Sequence, residues 1–423
     1  MNILVIGSGG REHAVIKKLL ENKEVKKIYA LPGNGGIAGD AECVSISATD
    51  ITAIVNFAVS HSIDYAVVTP DDPLVLGAAD ELLKVGIPSF GPFKNAAIIE
   101  GSKVFSKELM KRHGIPTADY SVFSSPADAL SYLKSAKYPA VIKADGLALG
   151  KGVIIAEDLN AAEAAVHSIM EDKVFGASGN SIVIEEFLTG PEVSVLAFTD
   201  GICVKPMVSS MDHKRARDND RGLNTGGMGT VAPNPYYTPE IAERCMKEIF
   251  VPTINAMRDE GRTFKGCLYF GLMLTKEGPK VIEYNCRFGD PETQVVLPLL
   301  KSDLLTVMMA VTDGKLTQTP VEFKKGSACC VILASDGYPE RYEKGFEITL
   351  PAVPPDCEIY QAGTALRDGK LVSSGGRVLG AAAVGDTLPL AIDKAYALAD
   401  SIEFENKYMR KDIGKRALDA LNG

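Results

Sequence analysis

Apolar and polar positions follow three rhythms along this chain. From Met1 to about Ser102, short apolar runs (NILVIG, KKIYAL, ECVSIS and DYAVVT) alternate with helical spacing over Glu12 to Glu21, Ile51 to His61 and Pro73 to Val85. Apolar strands interleaved with amphipathic helices predict an open, mostly parallel α/β sheet. The middle of the chain is paced by two-residue alternation: Ala140 to Lys143, Val153 to Ala156, SIVIEEFLTGPEVSVLAF, FKGCLYFGLMLT and Val281 to Arg287. In the last of these, strict alternation puts Ile282, Tyr284 and Cys286 on one face and Glu283, Asn285 and Arg287 on the other. The preceding strand FKGCLYFGLMLT is expected to pair with it, setting Glu283 and Asn285 on a central sheet. Met211 to Pro233 interrupts this pacing with no apolar period, and a loop longer than ~12 residues in a compact domain is usually functional or disordered. From Gly326 onward, short strands (SACCVILAS, EITLP, CEIYQAG, KLVSSGGRVLGAAAVG) precede a helix over Leu388 to Ile402, which predicts an α+β unit with few residues that suggest chemistry.

Composition narrows the class. A chain of 423 residues exceeds a single core and should hold two to four domains. Its 46% hydrophobic and 23% charged content suits a soluble globular protein. The formal charge of −9 gives no footprint for nucleic acid, so an anionic ligand needs a local positive site. No apolar run reaches the ~18 residues of a membrane span, and the N-terminus enters a strand without a basic n-region or cleavage site. Eight scattered cysteines without a CxxC fit free thiols in a reducing compartment. The expectation is a soluble cytoplasmic protein with no nucleic-acid, membrane or obligate protein partner.

The candidate chemistry lies in the turns and on one strand face. Glu283 and Asn285 offer hard oxygens at the strand repeat, the type of ligand that suits Mg²⁺ completed by phosphate and water; a solvated edge strand is the plainer alternative. Arg287 and the acidic turn with Asp290 and Glu292 follow. The first strand runs into GSGGREHA, a glycine turn opening a helix, where Gly9, Gly10 and Arg11 suit a phosphate or merely a tight turn. As a dinucleotide fingerprint it lacks the third glycine, having Glu12 there, and no acid follows the second strand for a ribose. PGNGG (with Gly33 and Asn34) and TPDDPL end the second and fourth strands, pointing to the same crevice. Ser102 to His113 reads as an amphipathic helix carrying Lys103. Lys143 and Lys151 flank a glycine loop holding Gly150 and Gly152; it is not a Walker A loop, but it suits a lid over phosphates as well as an ordinary hairpin tip. Glu185, Glu186, Phe187, Leu188 and Glu192 suit an adenine and ribose site, or a plain hinge. The polar segment carries Asp212 and ends in NTGGMG, where Asn224, Thr225, Gly226 and Gly227 offer donors for a carboxylate or phosphate.

GSGGREHA, PGNGG, VIKADGLALGKGV, VIEEFLTGPEVSV, NTGGMG and VIEYNCRFGDPETQ, in this order, closely resemble the phosphoribosylamine–glycine ligase (glycinamide ribonucleotide synthetase) family of ATP-grasp enzymes in purine biosynthesis. The resemblance runs from the first strand to YMRKDIGKRAL. It implies an N-terminal α/β domain over 1–102 that binds phosphoribosylamine. A two-part ATP-grasp module over 103–325, with a lid subdomain near 123–188, and a C-terminal α+β domain over 326–423 would follow. It also implies ATP-dependent joining of glycine to 5-phosphoribosylamine through glycyl phosphate, in the cytoplasm. By the family pattern Glu283 and Asn285 hold Mg²⁺ or Mn²⁺; Lys103, Lys143 and Lys151 contact ATP phosphates; and Glu185 to Leu188 with Glu192 hold adenine and ribose. Arg287, Asp290, Asp212 and NTGGMG would surround glycine and the reacting centre, and Gly7 to Arg11 with Gly33 to Gly36 would meet phosphoribosylamine. The chain departs from the pattern at Leu31, where the family has His before PGN, at TPDD in place of GPE, and at Gln361 and Lys415 in place of His.

Three rivals remain at this point. One is another ATP-grasp carboxylate–amine ligase or carboxylase; a second is a dinucleotide oxidoreductase built on GSGG; a third is a non-catalytic nucleotide sensor. Glycine-dependent phosphate release separates the first, NAD(P)H binding the second, and turnover the third.

Overall fold

The computed structural model describes residues 1–147 and 152–422. Its N-terminal strands form one parallel sheet in the order Glu42–Cys43, Lys27–Pro32, Asn2–Gly7, Tyr65–Val68, Ser89–Phe90. The order reverses at Asn2–Gly7, so the crevice for a ligand lies outside the carboxyl ends of the central strands. Gly7, at φ 129°, turns the chain into the helix Gly10–Leu19 there. Helical spacing over Pro73 to Val85 materialises as two helices, Asp71–Leu76 and Ala78–Lys84, because Gly77 between them is left-handed (φ 96°).

Two antiparallel sheets follow. Tyr120–Phe123, Ile182–Glu186, Ala140–Ala144 and Val153–Ala156 pair in that order, with the helices Pro126–Leu133 and Leu159–Val166 burying Leu133 and Val166 against Ile142 and Ile184. The second sheet has the order Val204–Pro206, Glu192–Thr199, Gly266–Thr275, Gly278–Asn285. The metal-type strand pairs with Gly266–Thr275 as expected and forms the edge of that sheet; its outer side is met by Thr117, whose Oγ1 donates to the Val281 carbonyl at 2.7 Å. Strict alternation fails in it. The pairing jumps from Gly271–Glu283 to Leu272–Val281, leaving Ile282 as a bulge residue. Val281, Tyr284 and Cys286 therefore enter the core, and Ile282 joins Glu283 in lining the cleft.

The polar segment expected as an open loop is built into strands. Met211–Asp212 and Gly229–Ala232 belong to a sheet that continues through Ser327–Ser335, Arg377–Gly385 and Cys357–Gln361, with Lys407–Tyr408 also on Ser327–Ser335. The helix Leu388–Ser401 packs on that sheet. Arg215–Arg217 and Arg221–Asn224 form a hairpin whose tip places Asn219 and Asp220 at φ 58° and 52°. Asn and Asp are the residues that best tolerate that region. Arg410, only 1% exposed, holds the hairpin: it donates to the Arg215 carbonyl and Asp220 at 3.0 Å and makes a forked pair with Asp412 at 2.8 and 2.7 Å. A guanidinium this buried persists only when its donors are matched, as they are here. No helix among the described residues is long and apolar enough to cross a membrane.

Candidate active site

One cavity of about 730 Å³ opens between the two antiparallel sheets, with further walls from the N-terminal turn and the C-terminal sheet. Lys103 begins the helix Lys103–Arg112, capped by the Ser102 hydroxyl, and its Nζ donates to the Gly146 carbonyl at 2.8 Å. Burial lowers the Lys103 pKa, and neighbouring Lys143 lowers it further against the pull of Glu283. Lys143 donates to the Ile282 carbonyl at 3.0 Å and pairs with Glu185 at 2.9 Å. Lys107, which the sequence did not single out, pairs with the other Glu185 oxygen at 2.9 Å, and burial brings its pKa down to about 8. Glu185 is thus a buried carboxylate between two lysines, and its strand is paired on both sides. Its two oxygens face Lys143 and Lys107, and the residue lines the cavity. The strand ends at Glu186, and Phe187 and Leu188 carry the unpaired linker along the cavity rim. The Glu186 carboxylate takes Asp119 N–H at 3.1 Å and Lys280 at 3.4 Å. Gly152 lines the cavity; Gly150 and Lys151 lie outside the described residues.

Opposite stands the face of Glu283 and Asn285. Burial raises the Glu283 pKa, but Lys214, Lys143, Lys103 and Arg287 outweigh it, so the carboxyl is held below its ordinary value and stays ionised. Lys214 Nζ lies 3.2 Å from Glu192 and 3.5 Å from Glu283, tying the expected ribose acid to the expected metal acid. The Asn285 amide donates to Glu100 and to the Tyr284 carbonyl, both at 3.0 Å, which leaves Oδ1 as the atom available to a ligand. No cluster of three His, Cys, Asp or Glu side chains able to enclose a metal occurs among the described residues. An ionised carboxylate and a free amide oxygen fit an Mg²⁺-type ion that draws its remaining ligands from phosphate and water.

The third group surrounds the acidic turn. Arg287 pairs with Glu100 at 2.9 Å and reaches Asp71 at 3.9 Å. Asp290 accepts from Gln294 at 2.7 Å and pairs with Arg377 at 3.1 Å; burial raises its pKa, but Arg377 and Arg11 dominate and keep it low. Asp212 and Glu292 move the other way: burial raises the pKa of both, and Glu292 pushes Asp212 further up. Asn224, Thr225 and Gly226 line the cavity, while Gly227 packs against Asp212 and Pro291. The backbone donors expected to receive an anion are already engaged: Thr225 N–H by the Lys214 carbonyl (2.8 Å), Gly226 N–H by Tyr338 Oη (3.2 Å) and Gly227 N–H by Thr225 Oγ1 (3.0 Å). Positive charge at this end comes from side chains, with Arg377 clamping the carbonyls of Gly226 (2.7 Å) and Asp290 (2.9 Å).

Of the N-terminal turns, Arg11 of GSGGREHA and Asp71 of TPDDPL line the cavity. Gly9 and Gly10 permit close packing instead: a Cβ at Gly9 would stand 3.3 Å from Asp290 Oδ2, and one at Gly10 2.7 Å from Gln294 Nε2. Gly33 lies on Cys43, and the Asn34 amide is spent on the carbonyls of Ser8 (2.9 Å) and Gln361 (2.8 Å), clasping the N-terminal turn to the C-terminal sheet. The C-terminal unit, expected to carry little chemistry, contributes Tyr338, Arg377 and Arg416 to the cavity. Nothing local distinguished these three, or Glu100 and Lys107, from ordinary surface polar residues; Lys214 was one cation in a charged run, and only its Asp212 neighbour hinted at a role.

Comparison with known proteins matches the phosphoribosylglycinamide synthetase N domain over residues 1–100, its ATP-grasp (A) domain over 101–293 and its C domain over 328–416. The chain is 48% identical to a phosphoribosylamine–glycine ligase of Caldanaerobacter subterraneus, covering 98% of this chain and 99% of that one. It is 46% identical to a trifunctional purine biosynthetic protein of Gallus gallus, covering 99% of this chain and 42% of that protein. The crystal structure of a phosphoribosylamine–glycine ligase from Thermotoga maritima superposes with a TM-score of 0.86 at 35% identity, over 98% of this chain and 100% of that one. A biotin carboxylase domain from Hydrogenobacter thermophilus, solved with MgADP and bicarbonate, shares the fold at TM-score 0.76 and 17% identity, over 96% and 91% of the two chains.

Proposed function

This chain belongs to the phosphoribosylglycinamide synthetase family, and from that premise we propose how its cleft performs the family's reaction. The protein is an ATP-dependent phosphoribosylamine–glycine ligase: it joins glycine to 5-phosphoribosylamine in purine biosynthesis, with ATP going to ADP and phosphate. In our reading residues 1–102 carry the phosphoribosylamine side, 103–325 the nucleotide, and 326–423 close the acceptor end. Lys103 and Lys143 meet the ATP phosphates, with Lys107 and Glu185 holding Lys143 in place. The linker from Glu186 to Leu188 reads adenine, and Glu192, steadied by Lys214, takes the ribose.

Glu283 and Asn285 Oδ1 would hold Mg²⁺, or Mn²⁺ in its place, which neutralises charge on the phosphoryl group in transfer. A glycine carboxylate oxygen then attacks the γ-phosphorus, the bond to the β-phosphate oxygen breaks, and ADP leaves. Such a transfer needs alignment and charge neutralisation rather than a covalent nucleophile. Lys214 and Arg287 flank the carboxylate, and Asp290, fixed by Arg377 and Gln294, bounds the site of the glycine amine. The phosphoribosylamine nitrogen next attacks the glycyl carbonyl carbon, phosphate departs and the amide forms. The Asp212–Glu292 pair, whose carboxyl pKa values burial raises above the ordinary range, suits receipt of the amine proton. Arg11 faces the incoming phosphoribosylamine. Eight free thiols fit a cytoplasmic setting.

The observation that carries the reading is the meeting of Lys103, Lys143 and Lys214 with ionised Glu283 in a single cleft. Its test is ADP formation dependent on both glycine and phosphoribosylamine. Glu283→Gln should abolish it while circular dichroism stays native, and unchanged turnover would refute the assignment.

A further inference from the structure

We propose that Glu100, in the last helix of the N-terminal unit (Lys94–Gly101), is a positioning residue that fixes which end of the Asn285 amide faces the metal. The inference rests on Asn285 being a metal ligand. Glu100 is 8% exposed, and both carboxyl oxygens are engaged: one accepts Asn285 Nδ2 at 3.0 Å and lies 2.9 Å from Arg287 Nη2 in an ion pair, the other accepts Cys286 N–H at 2.7 Å. Burial raises the Glu100 pKa against the pull of Arg287. The groups at its oxygens (the Asn285 NH₂, the Arg287 guanidinium and the Cys286 N–H) are nonetheless all donors, so the carboxyl accepts throughout and the NH₂ end of the amide is the end that lies against it. With the Tyr284 carbonyl also taking a hydrogen from Nδ2, both amide hydrogens are used on the protein side. Rotating the amide by half a turn would set Asn285 Oδ1 against a Glu100 carboxylate oxygen and the Tyr284 carbonyl oxygen, and would present hydrogens to a cation. Glu100 makes that orientation unfavourable. The same carboxylate holds Cys286 N–H just past the strand's end, so it fixes the backbone of the ligand strand as well as its side chain. Partners of this kind behind a ligand change metal affinity by about 10–100-fold when removed.

The test measures ADP binding to the full chain by calorimetry, with and without Mg²⁺. Glu100→Gln should leave the metal-free affinity intact and cut the Mg²⁺-linked gain by about tenfold or more. Asn285→Asp should also lose gain, because its new carboxylate stands against Glu100. Adding Glu100→Gln to Asn285→Asp supplies an amide donor to that carboxylate and should restore most of the gain. An undiminished gain in Glu100→Gln would overturn the proposal, as would additive losses in the double variant. An equal fall in metal-free affinity would do the same, since it signals a general loss of the cleft. A change confined to the glycine KM would mean that Glu100 serves only to neutralise Arg287. Asn285→Ala separates the two layers: if it keeps the full gain, the metal reading itself fails; if it loses the gain while Glu100→Gln does not, only the role of Glu100 falls.

Discussion

Acid should loosen the seam between the Asp212 strand and the C-terminal sheet, and His213 sets the size of the effect. This imidazole is fully buried; Nδ1 donates to the Gly229 carbonyl at 3.0 Å and Nε2 accepts Gly414 N–H at 3.1 Å. Those two bonds require the neutral tautomer, since a protonated ring would turn Nε2 into a donor facing a donor. Burial, with Arg416 and Arg410 nearby, lowers the His213 pKa from 6.5 to about 4. The unfolded chain therefore binds the proton first as pH falls, and stability contributed by the neutral ring is present above pH 6.5 and lost on the way down to about 4. Linkage over that gap gives a loss of about 2 kcal/mol between pH 7 and pH 5, rising to roughly 3 kcal/mol at still lower pH. The chain has no tryptophan, so urea unfolding is best followed by circular dichroism at the two pH values. His213→Gln keeps a donor and an acceptor but cannot titrate, and should lose about 2 kcal/mol less than the parent on acidification. Equal losses in the two proteins, or an imidazole resonance titrating near pH 6.5, would refute the reasoning.

Three other outcomes test the cleft. Arg377→Gln releases the Gly226 carbonyl and Asp290, and should raise the glycine KM at least about tenfold, the effect of ~1.4 kcal/mol, with little change in the ATP KM; equal changes in both would place Arg377 elsewhere. Glu292→Gln removes the like charge beside Asp212, so the acidic limb of kcat/KM should move to lower pH; an unmoved limb would take Asp212 out of proton transfer. Arg410→Ala strands Asp220 and Asp412 and should cost about 3–5 kcal/mol in thermal or urea unfolding, as for other broken buried pairs; a native-like melting curve would count against the clamp.

Much of the frame was legible because it is local. Apolar strands alternating with helices identify the N-terminal sheet, and two-residue spacing identifies the face of Glu283 and Asn285. Alternation could not reveal the bulge at Ile282, because a bulge is set by how two strands register rather than by either strand's own text. The strands inside Met211 to Pro233 were hidden for a related reason: the few apolar side chains there, such as Met211, Met228 and Val231, have no period of their own and are buried only against a sheet begun about a hundred residues later, with Arg410 holding the hairpin. Glycine motifs located the turns but not their use. Gly9 and Gly10 admit Asp290 and Gln294, and Asn34 grips Gln361, so residues that suggested ligand contacts serve contacts between distant parts of the chain.

Arg11 and Arg416 look into the same cavity. A chain growing from its N-terminus thus assembles the lysines and the metal-type strand well before Arg377 arrives to clamp the Gly226 turn and Asp290. One cleft is therefore walled by both ends of the sequence, and it is complete only when the C-terminal residues Tyr338, Arg377 and Arg416 have joined Arg11, Lys103, Lys143 and Glu283.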